Sequence, residues 1–311
     1  MVVARRCFFS LVLIFLAACG GSVATEATYQ SPFFDQKGNP SADLVALLAK
    51  LEIPCELTRE SIVQQTQKKW IQQPGTERFY WQDGYAGRMP ALKPLLQNLG
   101  LIDDVLPKQQ SYDYALVHGA TIVVMRARLA FLAGLWQKGI RFKTLVLLTG
   151  QRDLDPVHDS FASLTNNPER VPMQPGWQPD EAQLQLKTET DAMHVLYEHV
   201  LMPEAMRNVP MVLVDAPKTL QPDGLWRRPT TRGTIETWLQ KQPKPGSCLA
   251  VSNQPFKGYQ DLVVRTLLPA SFSLETVGFA VPADYESVVM CLDSLARWLY
   301  QEQQYLMLLS A

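Results

Sequence analysis

Tyr112-Asp113-Tyr114-Ala115-Leu116-Val117-His118-Gly119 and, further on, Leu145-Val146-Leu147-Leu148-Thr149-Gly150 decide the fold. Each holds a short apolar run that stops just before a glycine, and within the runs polar and apolar residues do not alternate. A strand without alternation is covered on both faces, the condition of a parallel sheet clothed by helices. Three further runs of this kind follow, at 210–214, 248–252 and 273–277. Helix-length segments separate them, at 122–138, 187–201, 231–240 and 259–268, and a last one spans about 284–304. Alternating βαβ units with right-handed crossovers predict an α/β, three-layer, doubly wound fold around a mostly parallel five-stranded sheet, here at 111–306.

Upstream, residues 41–110 read as an accessory helical region. Asn39-Pro40-Ser41 opens a helix carrying Leu44, Leu47, Leu48 and Leu51 at helical spacing. A more polar helix follows at 58–72, with Ile62, Val63, Trp70 and Ile71 as its stripe, and a third at 90–99. Phe79-Tyr80-Trp81 with Tyr85 either lines a groove or packs on the main domain. Residues 153–186 break the rhythm with several prolines and Asn166-Asn167, and a loop of that length is a lid, a binding loop or a disordered segment.

The first residues carry a targeting signal. Arg5 and Arg6 precede the apolar run 7–18, too short for a bilayer span, which needs about 20 residues. Leu16-Ala17-Ala18-Cys19 resembles the bacterial lipobox, so segment 1–19 is expected to end in cleavage and lipidation of Cys19. A lipid there is the expected membrane partner. Gly20, in place of an aspartate, points by the same resemblance to the outer membrane, facing the periplasm of a Gram-negative cell envelope. Residues 20–40 read as a flexible tether. The net charge of −1 gives no basic footprint for nucleic acid. Past Cys19 only Cys55, Cys248 and Cys291 remain, without metal-ligand spacing, and His194 and His199 do not share a helix face, so no metal site is expected.

In an open parallel sheet ligands bind beyond the carboxyl ends of the strands, at a topological switch point. The residues that follow the strands are therefore the site candidates: His118 and Gly119, then Thr149 to Asp153, then Asp215, then Asn253, Gln254 and Lys257. Gly119 and Gly150 either admit a ligand to the backbone or serve as turn glycines. Arg152 either holds an anion or pairs with Asp153 in solvent, and His118 either satisfies a strand end or exchanges protons. No GxGxxG, Walker A or G-x-S-x-G pattern is present, so no cofactor is named.

These segments, taken in order over 112–304, resemble the SanA/ElyC/YdcF family of envelope-associated proteins with a Rossmann-like domain. The likeness lies in 112–119, the pair Arg126 and Arg128, 145–151, Glu189 with Met193, the threonine turn 231–237, 248–254 with Arg265, and Phe279-Ala280-Val281-Pro282. It implies a polar pocket lined by Gly119, Arg126, Gly150, Glu189 and Thr234, and a link to cell-envelope, peptidoglycan or lipid-carrier metabolism. One branch of the family is associated with S-adenosylmethionine. This chain departs from the family after the fourth strand, where Asn253-Gln254-Pro255-Phe256-Lys257 replaces a histidine and an arginine. The expectation is an enzyme-like protein that acts on or binds a phosphorylated or otherwise anionic metabolite, with Arg126 and Arg152 on the anion, Glu189 as general base, and Asn253 in the pocket. The alternative is a non-catalytic lipoprotein that binds a ligand or protein through the long loop and aromatic cluster.

Overall fold

The unbroken apolar runs pair as five parallel strands in a computed structural model that describes residues 29–72, 84–85 and 87–310. In chain order the elements are helices α1 (Ala42–Lys50), α2 (Arg59–Trp70) and α3 (Met89–Asn98), strand β1 (Ser111–His118), α4 (Ile122–Gln137), β2 (Arg141–Gly150), the short α5 (Glu181–Leu184), α6 (Glu189–His199) and α7 (Glu204–Arg207). Then come β3 (Met211–Ala216), a small hairpin of β4 (Thr219–Leu220) and β5 (Trp226–Arg227), α8 (Thr231–Leu239), β6 (Ser247–Asn253), α9 (Lys257–Leu267), β7 (Ser273–Phe279) and α10 (Val288–Leu309). The large sheet runs β3-β2-β1-β6-β7. The chain therefore winds outward from β1 through β2 to β3, then returns to the other side of β1 for β6 and β7. This Rossmann-like, doubly wound order puts the switch point between β1 and β6.

Strand residues alternate between two cores. Ala115, Val117, Leu145, Leu147, Leu249 and Val251 pack with Leu129 and Leu132 of α4 and Met193 and Leu196 of α6. Leu116, Val146, Leu148 and Ala250 face the other way, onto Ile235 and Trp238 of α8 and Val264 of α9. Each such side chain contributes about 1.5–3 kcal/mol by leaving water, so truncation of Leu147 to alanine would cost about 2–5 kcal/mol. Side-chain caps fix the helix starts: Ser41 accepts from the Leu44 N–H, Thr58 from Ser61, and Thr188 forms a capping box with Asp191. Helix α10 docks through Val288, Leu292, Leu295 and Leu299, and Asp293, which interrupts its apolar pattern, is buried and paired with Arg297. No helix among the described residues is long and apolar enough to cross a membrane.

Two expectations change. The tether reading stops short of Pro40, because Phe33 and Phe34 are buried, Phe33 lies edge-on to Trp298 at 4.9 Å, and Ser31–Ala311 forms one compact unit. The 153–186 segment is not structureless. It holds a 3-10 turn at Phe161–Leu164 and helix α5, and it buries Leu164 and Val171. The signal segment 1–19 with Cys19, residues 20–28 of the tether, and the Phe79-Tyr80-Trp81 cluster lie outside the described residues.

Candidate functional site

Three buried arginines organise the carboxyl ends of the strands. Arg152, just past β2, donates from Nε to Glu189 Oε2 at 2.9 Å, from Nη1 to Asp159 Oδ2 at 2.8 Å and from Nη2 to the Ala120 carbonyl at 2.8 Å. Asp159 turns its other oxygen onto the Ile122 N–H at 2.8 Å, which is the first residue of α4. A helix N-terminus attracts an anion through its free N–H groups and its dipole, and here a carboxylate of the chain itself fills that position. Burial pulls the Arg152 guanidinium down, but the carboxylates of Glu189 and Asp159 outweigh it and hold the group above its usual range.

Arg128 closes the switch point itself. Its Nη1 donates to the carbonyls of His118 and Gly119, both at 2.8 Å, and its Nε and Nη2 reach Asn253 Oδ1 at 3.1 and 2.7 Å. The end of β1 is thus tied to the end of β6. Burial brings the Arg128 guanidinium down to about 10, so it stays charged at neutral pH. Arg126 faces the long segment, where Nη1 donates to the Ser163 and Asn166 carbonyls and to Asn166 Oδ1, and Nη2 to the Val171 carbonyl, all at 2.8 Å.

This geometry changes the roles read from the sequence. The chain's own oxygens occupy all three nitrogens of Arg152 and both Nη groups of Arg126, whose buried Nε has no partner among the described residues. Glu189 is brought beside Gly119 and Arg152. A Cβ at Gly119 would lie 2.1 Å from Glu189 Oε1, so glycine serves the close approach of this carboxylate. Burial pushes the Glu189 carboxyl above its usual range, while Arg152 pulls it back. Gly150 makes room for Pro229, whose Cγ would lie 2.5 Å from an added Cβ. Thr234 Oγ1 donates to the Thr231 carbonyl at 2.9 Å within the first turn of its own helix. Asn253 joins the Arg128 clamp and also donates to the Gln254 carbonyl at 2.7 Å. His118 is buried, its Nε2 has no partner among the described residues, and burial followed by the charge of Arg128 brings its imidazole down to about 3. Sequence reasoning did not find Asp159 at all.

Beside this polar cluster lies open space. A cavity of about 190 Å³ is bounded by Val124 in the first turn of α4, by Gln254 and Phe256 after β6, and by Leu101, Tyr285 and Met290. It lies beyond the ends of β6 and β7, beside the switch point, and shares Asn253 with the Arg128 clamp. For scale, an apolar cavity of about 150 Å³ holds benzene. Carbon atoms make most of its wall. Glu286 on its rim is engaged by Lys93 at 2.7 Å, and burial pushes the Cys291 thiol up to about 12. A larger depression of about 360 Å³ lies on the outer face of α8, α9 and α10, and no strand-end residue lines it. Among the described residues no group of histidine, cysteine, aspartate and glutamate side chains could hold a metal ion.

No family model matches the chain, and no curated protein or solved structure matches it.

Proposed function

We propose that the chain is an exported cell-envelope protein of the SanA/ElyC/YdcF type, held to a membrane by a lipid on Cys19, that binds an envelope metabolite in the switch-point cavity without turning it over. One observation carries this reading: the strand-end face is divided into a polar half filled by the chain's own groups and an apolar half left open. An apolar ligand part that buries about 150 Å² there would gain about 4 kcal/mol before the costs of association. An acidic part of the same molecule would meet Lys257, the first residue of α9 and next in the chain to Phe256 of the wall. Of the groups lining the cavity, Glu286 is ion-paired to Lys93 and burial pushes the Cys291 thiol up.

The experiment is a thermal-shift screen of the whole chain against short prenyl phosphates, sugar phosphates, nucleotides and S-adenosylmethionine, repeated on Val124→Phe, which fills the cavity. A ligand specific to the folded state adds about 2.7 kcal/mol at a hundredfold excess over Kd. A shift with the prenyl phosphates that Val124→Phe abolishes supports the reading. A shift that survives the substitution, or no shift with any compound, overturns it.

A second reading keeps Glu189 as a general base. It is favoured by the raised Glu189 carboxyl and by Oε1, which accepts no hydrogen bond among the described residues and lies against Gly119. Turnover of a bound compound that Glu189→Gln abolishes at unchanged affinity would select this reading over simple binding.

A further inference from the structure

We infer that the exposed end of α10, Met307-Leu308-Leu309, is a membrane-contact surface, seated in the headgroup layer of the bilayer that holds the lipid on Cys19. The inference deepens the proposed lipid-anchored reading and rests on it.

The three side chains are each more than half exposed, at successive positions that turn around the helix. Residues 303–310 carry no charge, and the last charged side chain before them, Glu302, is buried. A tip of this composition gives up no hydrated charge on entering lipid. Tyr300, two turns back, is also exposed and lines the same outer depression as Met307 and Leu308. Apolar side chains at the tip with a tyrosine about 11 Å behind them follow the order of a bilayer interface, acyl boundary first and headgroup level second.

The backbone limits the depth. Ser310 closes the Leu306 carbonyl with its N–H at 3.2 Å and the Met307 carbonyl with its Oγ at 3.0 Å. The last carbonyls of a helix lack intrahelical donors and take them from water or headgroups, which keeps the tip out of the hydrocarbon core.

The place where the chain enters the domain selects a bilayer as the occupant. Ser31 Oγ donates to Glu302 Oε1 at 2.8 Å, and Arg59 pairs with the same carboxylate. Glu302 precedes the tip by five to seven positions, which is about 8–11 Å along the helix axis. Residues 20–30 join Ser31 to Cys19 and reach at most about 40 Å. A lipid on Cys19 therefore keeps this end of the domain close to the bilayer, where even a weak contact forms at high effective concentration. Met290 and Cys291, at the other end of α10, line the cavity about 25 Å from the tip, so the contact turns the cavity end away from the lipid.

The test is hydrogen exchange on the lipidated chain in phosphatidylethanolamine–phosphatidylglycerol vesicles, compared with the same mature chain, residues 19–311, made without the lipid and free in buffer. Exchange over 303–310 should slow by roughly tenfold or more on the vesicles, while Ala283–Tyr285 beside the cavity exchanges alike in both. Met307→Asp, Leu308→Asp and Leu309→Asp together should keep the lipid and erase the difference between vesicle and buffer. A lipid mass on Cys19 with no slowing over 303–310, or slowing that persists in the triple variant, overturns the contact and leaves the anchor reading standing. Slowing that fades as the protein is diluted in lipid identifies a second copy as the occupant and overturns it as well. If the exported chain carries no lipid mass on Cys19, both readings fall together.

Discussion

Replacing Arg152 with methionine keeps much of the side chain's length and removes its charge and all of its donors. The loss falls on partners that cannot reach water. Asp159 has a fully buried side chain and Glu189 exposes only 10 % of its own. Removing one member of a buried ion pair costs about 3–5 kcal/mol, because the remaining charge is left uncompensated. Asp159 keeps the N–H groups of Ile122 and Asp155, which limits its share of the penalty. Glu189 loses the guanidinium that donates to its Oε2 and carries more of it. The expected total is therefore about 3–5 kcal/mol, or a fall in Tm on the order of 10 °C. Urea unfolding at neutral pH measures it, with an unchanged m-value showing that both variants unfold from comparably compact states. Adding Glu189→Gln in the Arg152→Met background should recover about 1–2 kcal/mol, since a neutral amide is cheaper to bury than an unpaired carboxylate. A loss below about 1 kcal/mol, or no recovery in the double variant, would refute the view that Arg152 is the organising cation of this edge.

Two further outcomes follow from the same contacts. His118 has an ordinary value of 6.5 and a folded value of about 3, so the unfolded chain takes up a proton that the fold refuses. Stability is then greatest above pH 6.5 and falls by up to about 1.4 kcal/mol per pH unit as pH drops toward 3; His118→Leu should remove this share of the slope in acid unfolding curves. Arg126→Ala removes the four hydrogen bonds that hold the carbonyls and amide of the long segment. Limited proteolysis should then cut within 153–186 well before the rest of the domain, and equal rates in wild type would show that the buried Leu164 and Val171 suffice to hold the segment.

How far the sequence disclosed this molecule depends on where the information lies. The sheet was legible because apolar runs such as Leu145 to Leu148 have no polar face, and only coverage on both sides explains that pattern. The start of the first helix was legible because Ser41 caps it through its own side chain. The position of the candidate site followed from topology, and Glu189, Gly119 and Arg152 do meet there. The role of Arg126 was not legible, because three of its four acceptors are backbone carbonyls, which every residue possesses. Asp159 sits in a segment without periodicity, and nothing in the chain near it announces a helix N-terminus thirty-seven positions away. The apolar cavity was hidden for a similar reason, since its wall combines one residue of α4 with residues from the β6 end, the start of α10 and Leu101 and Ile102, far apart in the chain.

The position of Asp159 carries a consequence that can be tested directly. Its carboxylate fills the anion position at the start of α4 and is pinned there by Arg152. Asp159→Ala would leave the Ile122 N–H and the Arg152 Nη1 without their acceptor while the helix dipole and guanidinium remain in place. An external oxyanion of similar charge then has a ready site, so inorganic phosphate should stabilise the variant and not the wild type. Above its Kd, each tenfold increase in phosphate should add about 1.4 kcal/mol to the variant's stability, with chloride at matched ionic strength as the control for screening. If phosphate shifts wild type and variant equally, the N-terminus of α4 is not an anion position, and the polar half of this face owes its arrangement to the arginines alone. If the variant responds and the wild type does not, the 153–186 segment is what converts an anion site into a closed scaffold, and ligand selection passes to the cavity beside it.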